Sequence, residues 1–249
     1  MNRIRQEKIK EYVESRSVAT IKEIMELIPD VSFMTIHRDL DVLERQGIIV
    51  KYRGGVRSVH HPGDVEFNVR MRENNDGKIV MAKKAMSLIQ PHSSVFLDAS
   101  TSNLFLARNL PDISLNIITT GPGIALELCR LHNPVVTLCC GTLNRKNLAI
   151  SGQNTLEMLE KINIDTAFIG VSGCSEEAGF TCGSEADMLV KRQVIKKARA
   201  SVLTCGSEKF TRLMPYTFAT MSDIDYIVSD AQFDKSFIKT AEKEGVILL

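Results

Sequence analysis

Six short apolar runs recur between residues 94 and 228. They are Ser94-Val95-Phe96-Leu97, Leu115-Asn116-Ile117-Ile118, Pro134-Val135-Val136-Thr137-Leu138, Thr166-Ala167-Phe168-Ile169, Ser201-Val202-Leu203 and Tyr226-Ile227-Val228, most of them separated by segments of helix length. Strands without polar alternation are buried on both faces, and joining them through helices gives a mostly parallel sheet. The pattern therefore predicts an α/β domain over residues 78–249. Its opening helix would pack Ile79, Ala82, Met86 and Ile89 inward. In such sheets ligands bind in the loops beyond the carboxyl ends of the strands.

The first 58 residues have a different texture. Ile9, Tyr12 and Val13 make the apolar face of a first helix, and Thr20-Ile21-Lys22-Glu23 reads as a capping box opening a second. Pro29-Asp30-Val31 stops that helix, and Ser32 caps a third that buries Phe33, Ile36, Leu40 and Leu43 and ends at Gly47. Ile48–Tyr52 and Val56–Val59 then flank Arg53-Gly54-Gly55 as a hairpin. Three short helices and a hairpin predict a small winged helix-turn-helix domain over residues 1–58. Residues 59–77, polar and rich in turn formers, read as a linker.

Composition narrows the function classes. With 44% hydrophobic residues and a net charge of +1, the 249-residue chain is neither disordered nor basic throughout. No run approaches the roughly 18 apolar residues of a spanning helix, and no apolar stretch follows Met1–Lys8 as a signal peptide requires. A cytoplasmic protein with no membrane partner is expected. The six cysteines form no CxxC and are expected as reduced core thiols, with no metal or cofactor.

Local charge points to nucleic acid. The third helix is expected to expose Met34, Thr35, His37, Arg38 and Asp41 opposite its apolar stripe, and a recognition helix needs such a polar, cationic face to reach base edges. Ser32 stands at its start. Lys51, Arg53 and Arg57 follow in the hairpin, with no Asp or Glu between Gly47 and His61, and suit phosphates.

Val31-Ser32-Phe33-Met34-Thr35-Ile36-His37-Arg38-Asp39-Leu40, followed by Leu43, Glu44, Gln46-Gly47 and Gly54-Gly55, resembles the signature of the DeoR family of bacterial transcriptional regulators. His37 stands where that family usually has an Arg, and Arg53 where it usually has His. The resemblance continues through Asp98-Ala99-Ser100-Thr101-Ser102, Cys140-Gly141-Thr142-Leu143, Ala167–Gly173 and Ser207-Glu208-Lys209-Phe210. It implies a C-terminal domain similar to ribose-5-phosphate isomerase and CoA-transferase-like folds that responds to phosphorylated sugars.

Physically, the hydroxyl-rich turn after the strand at 94–97 offers free amides and a helix N-terminus to an anion. The resemblance implies phosphate binding by Ser100, Thr101 and Ser102, charge pairing by Lys209 and sugar-hydroxyl binding by Asp98. Gly141 and Arg145, in another loop at a strand end, complete the candidate effector site. Gly206, Cys140 and Ser100 depart from the family pattern. The expected function is a repressor of a carbohydrate-utilisation operon, not an enzyme and without catalytic residues. The alternative is a sugar-phosphate isomerase or CoA-transferase-like enzyme, for which Gly183-Ser184-Glu185 could supply a glutamate nucleophile; Glu185 reads better as the start of a helix. Because one winged helix covers only a short half-site, a homodimer or tetramer is expected, assembled through the C-terminal domain.

Overall fold

A computed structural model describes residues 2–16, 18–52, 54–58, 67–175, 178–210 and 212–249. The chain divides into two compact units, Met1–Val65 and Glu66–Leu249.

The first unit is built on helices Asn2–Arg16, Ile21–Leu27 and Phe33–Arg45. Thr20 and Glu23 form the expected capping box: the Glu23 amide donates to Thr20 Oγ1 at 3.2 Å and the Thr20 amide to Glu23 Oε2 at 2.7 Å. Ser32 caps the third helix by accepting from the Thr35 amide. Gly47 ends it at φ +69°, with Ile48 N–H donating back to Leu43 and Gly47 N–H to Glu44, the paired bonds of a left-handed helix terminus. Strands Ile49–Tyr52 and Gly55–Ser58 form the hairpin, and a third strand, Val18–Thr20, pairs antiparallel with the latter. Ile9, Val13, Ile24, Ile36, Leu40, Leu43, Ile49 and Val56 fill the core. Buried Asp39 accepts hydrogen bonds from Arg5 and, at 2.8 Å, from Gln6, tying the first helix to the third. One core expectation fails. Phe33 is 49% exposed.

The second unit is a seven-stranded sheet in the order Ile247–Leu248, Tyr226–Val228, Ala198–Thr204, Ile164–Gly170, Ser94–Leu97, Asn116–Thr119, Val135–Leu138, every pair parallel. All six expected strands are present, with Ile247–Leu248 added. Side chains alternate between two buried layers. Phe96, Ala167, Ile169 and Leu203 enter one, and Val95, Leu97, Phe168 and Val202 the other. The chain lays strands outward from Ser94–Leu97 in one direction and then returns to place Ile164–Gly170 on its other side. Between these two strands lies the topological switch point, where parallel sheets leave a crevice at their carboxyl ends.

Residues 67–77 do not form the expected linker. They carry the short helix Phe67–Arg70 and the start of helix Asn75–Met86, and the Phe67 amide donates to Lys146 at 2.8 Å within the second unit. Residues 59–66 lie outside the described residues. The buried stripe of helix Asn75–Met86 is Lys78, Met81, Ala82 and Ala85, while Ile79 and Met86 are only half-buried. The expected face is thus offset by one residue, and it carries a lysine beside the buried Gly77. All six cysteines are free thiols; four are buried, and Cys129 and Cys140 are exposed. Among the described residues no helix is long and apolar enough to cross a membrane.

Candidate functional site

Helix Phe33–Arg45 presents Ser32, Met34 and Arg38 to solvent, with Thr35 half-buried. His37 does not offer the expected polar contact. Its ring lies 4.3 Å from the Phe33 ring, centroid to centroid, and its Nε2 is buried without a hydrogen-bond partner. Lys51 is not a free cation either. It pairs with Asp41 and, at 3.4 Å, with Glu44, and the Asp41 hydrogen bond raises its ammonium above the ordinary lysine value. The gap in acidic residues between Gly47 and His61 is real in the sequence, but helix Phe33–Arg45 supplies the carboxylates from across the turn. Arg53 and the side chain of Arg57 lie outside the described residues.

At the switch point of the second unit, Asp98 follows strand Ser94–Leu97 and is 3% exposed. Its Oδ1 accepts from the Ser100 amide at 3.0 Å and Asn103 Nδ2 at 2.8 Å. Its Oδ2 accepts from the Gly170 amide at 2.8 Å and Lys191 Nζ at 2.6 Å. Lys191 Nζ also donates to the Gly170 carbonyl at 2.8 Å and stands 3.6 Å from Asp187, one helical turn away. Burial alone would push the Asp98 carboxyl up, but the Lys191 charge and the hydrogen bonds of Lys191, Ser100 and Gly170 hold it below the ordinary aspartate value. Burial would likewise lower Lys191, and the Asp187 and Asp98 charges raise it above the usual lysine range. With four bonds made, Asp98 does not have the lone pairs expected for a sugar hydroxyl. It is the clamp that joins the two strands of the crevice.

The clamp also sets the backbone around it. A Cβ on Gly170 would lie 2.3 Å from Ser100 Cβ, so only glycine lets the Ser100 turn close over the strand end. Ser100 Oγ caps helix Thr101–Asn109 by accepting from the Asn103 amide at 3.2 Å. Ser100 and Ser102 remain half-buried at the crevice, while Thr101 is buried. Gly141 and Arg145 lie exposed on the strand-turn-strand Thr142–Asn144/Ala149–Ser151, which rests on the loop after Asn116–Thr119 through Ile150 N–H to Thr120 at 2.8 Å.

Lys209 lies in the short helix Ser207–Lys209, 3.3 Å from Glu208. Here the structure assembles residues that the sequence did not single out. Asn74, at φ +46°, caps helix Asn75–Met86 and donates to Glu208 at 3.1 Å and Asp230 at 2.8 Å. Asp230 also accepts from the Ser207 amide at 2.7 Å. Lys78 is 5% exposed, donates to the Arg70 and Glu73 carbonyls and lies 5.6 Å from the Phe105 ring centroid. Burial pushes its ammonium down to about 8; Glu208 opposes that shift, and the neighbouring Lys209 reinforces it. The signal for Lys78 and Lys191 was available: each is a lysine on the apolar stripe of its helix. Glu185 stands exposed at the start of helix Glu185–Lys197, which Ser184 caps.

A winged helix-turn-helix in one chain with a parallel α/β domain defines a two-part DNA-binding regulator. Residues 5–61 match the DeoR-like helix-turn-helix domain, and residues 73–231 match the DeoR C terminal sensor domain. The chain belongs to the DeoR family of transcriptional regulators. The HTH-type transcriptional regulator YgbI of Escherichia coli (strain K12) is 32% identical over 251 residues, covering 98% of this chain and 96% of its own. The HTH-type transcriptional repressor GlcR of Bacillus subtilis (strain 168) is 29% identical over 242 residues, covering 97% and 93%. Among solved structures, ribose 5-phosphate isomerase A of Methanocaldococcus jannaschii aligns over 56% of each chain at 16% identity and TM-score 0.40.

Proposed function

We propose that this regulator represses a carbohydrate-utilisation operon and is controlled by a phosphorylated sugar or a related small anion. The anion would bind at the carboxyl edge of the sheet, and the observation that carries the reading is the chain Lys209–Glu208–Asn74 there, with Glu208 3.3 Å from the Lys209 ammonium and accepting from Asn74 at 3.1 Å. Glu208 pairs with Lys209 and also accepts from Asn74. A phosphate competing for Lys209 would displace Glu208, and with it one of the two bonds that hold the cap of helix Asn75–Met86. Effector binding thereby reaches the segment that follows the DNA-binding unit in sequence, which gives the differential contact that allosteric control requires. The Ser100–Ser102 turn supplies hydroxyls and amides to the same edge. Calorimetry with pentose and hexose phosphates, run alongside DNA binding with and without each, tests the proposal; no heat from any of them overturns it.

Arg38 is the proposed base reader. Arg38→Ala is expected to cost about 1–3 kcal/mol of specific operator affinity. Lys51→Ala should leave both affinity and salt slope nearly unchanged, because its charge is already met by Asp41 and Glu44. Titrations at several salt concentrations check both, and a salt slope lowered by about one in Lys51→Ala would restore that lysine to a phosphate. The full chain is also expected to be a homodimer or tetramer. Light scattering at tens of micromolar tests this, a concentration at which an assembly of about micromolar affinity stays intact.

A further inference from the structure

Phe33 and Met34 occupy the first two positions of the recognition helix, and 49% and 62% of their surfaces are open to water. Residues at this end of a recognition helix are those that reach base edges in the major groove. Two large apolar side chains there gain nothing from solvent, and the Ser32 cap together with the half-buried Thr35 leaves the helix end well formed without them. The His37 ring, one turn on, meets the Phe33 ring in a tilted contact, 4.3 Å between centroids with the planes at 50°. Its Nε2 is buried and makes no hydrogen bond. A polar atom withdrawn from water without a partner is costly; what the His37 ring gains in return is its contact with the Phe33 ring, which it braces from one side.

Neither Phe nor Met can satisfy the donors and acceptors of a guanine, adenine or cytosine edge, and covering those groups would leave them unpaired. Thymine alone among the four bases presents a methyl group in the major groove. We propose that Phe33, braced by His37, forms with Met34 an apolar patch that reads thymine 5-methyl groups in the operator half-site. The inference rests on Phe33–Arg45 being the recognition helix and adds the base that its first turn selects.

The test is a selection of binding sequences from a random duplex library with the full-length wild-type chain and with Phe33→Ala. Titrations follow on the wild-type consensus and on copies carrying deoxyuridine in place of one thymidine at a time. At one or two positions, loss of the methyl should weaken wild-type binding about fourfold, the worth of one buried methyl. Phe33→Ala should bind the thymidine and deoxyuridine duplexes equally at a position where the wild type distinguishes them. Phe33→Leu, which keeps an apolar side chain, should retain part of the distinction, and matching thermal unfolding of the three proteins shows that folding is not the cause. Wild-type indifference to every deoxyuridine, or an unchanged profile in Phe33→Ala, overturns the proposal while leaving the recognition helix in place. A wild-type selection with no enriched sequence removes sequence reading by this helix altogether, and the proposal with it.

Discussion

Lys191→Met should unfold at a much lower denaturant concentration than the wild type, with a loss of about 3–5 kcal/mol, the usual consequence of stripping one partner from a buried ion pair. The variant leaves the Asp98 carboxylate in a site 3% exposed, with Gly170, Ser100 and Asn103 as its remaining hydrogen-bond partners but no cation. Methionine has similar volume and flexibility, so the loss would come from charge rather than from a cavity. The pH dependence identifies the cause. The Asp98 carboxyl lies below its unfolded value of about 3.9, so its contribution is present above that pH and is lost as pH falls through the folded value. Lys191 lies above its unfolded value of about 10.4, so its contribution is present below that pH and is lost as pH rises through the folded value. The pair therefore holds across the span from about pH 4 to 10, bounded by those unfolded values. In Lys191→Met the uncompensated carboxyl moves upward instead, and the gap to wild type should narrow as pH is lowered toward 4. A loss below about 1 kcal/mol at neutral pH, the scale of an exposed pair, would mean that the clamp does not hold the crevice together.

What the sequence disclosed depended on how local each signal was. Strands buried on both faces announce themselves as apolar runs, and the Thr20 and Ser32 caps lie within three residues of the amides they satisfy. The antiparallel pieces Gly173–Ser175 and Gly179–Cys182 span three and four residues, too few to establish a period of two. Residues 67–77 look like a linker because their composition is polar. Their order comes from Phe67 and Met71 packing on the core, and from a backbone bond to Lys146. Phe33 matched the apolar spacing of the third helix. Side chains in a first turn lean toward the helix N-terminus, and here that direction leads off the end of the core. At the site, Asp98 was visible as a strand-turn-helix residue. Its partner Lys191 is 93 residues away, and no local pattern joins them. The same distance effect hid Glu208 and Asp230 from Asn74, and it made Lys51 read as free when Asp41 lies across the turn.

Lys209→Ala should weaken effector binding by about 1.5–3 kcal/mol, the worth of a hydrogen bond to a charged group, while DNA binding without effector stays near wild type. The variant would remain in its ligand-free behaviour at effector concentrations that switch the wild type. Lys78 adds a signature that a generic loss of affinity lacks. Its ammonium sits at about 8 in the free protein because burial and the neighbouring Lys209 disfavour the charge. Its Nζ donates to the Arg70 and Glu73 carbonyls, so the signature arises where the bound phosphate reaches close enough to favour the protonated form and raise its pKa. Near pH 8 the complex should take up a fraction of a proton for each ligand bound, seen as a dependence of the calorimetric heat on the ionisation enthalpy of the buffer. Affinity should fall as pH rises from 8 to 9 and be level near pH 7, where Lys78 is already charged and the phosphate monoester, with a second pKa of about 6, is still mostly a dianion. Lys78→Met removes the proton uptake and flattens that pH dependence. Lys209→Ala reduces affinity and keeps an uptake, now centred at a higher pH because a positive neighbour is gone. If Lys209→Ala binds the effector as tightly as wild type, the phosphate does not sit at this edge, and Arg145 becomes the next cation to replace. If affinity falls but no proton is taken up at pH 8, the ligand meets Lys209 without reaching Lys78, and the coupling must run through Glu208 and Asn74 alone.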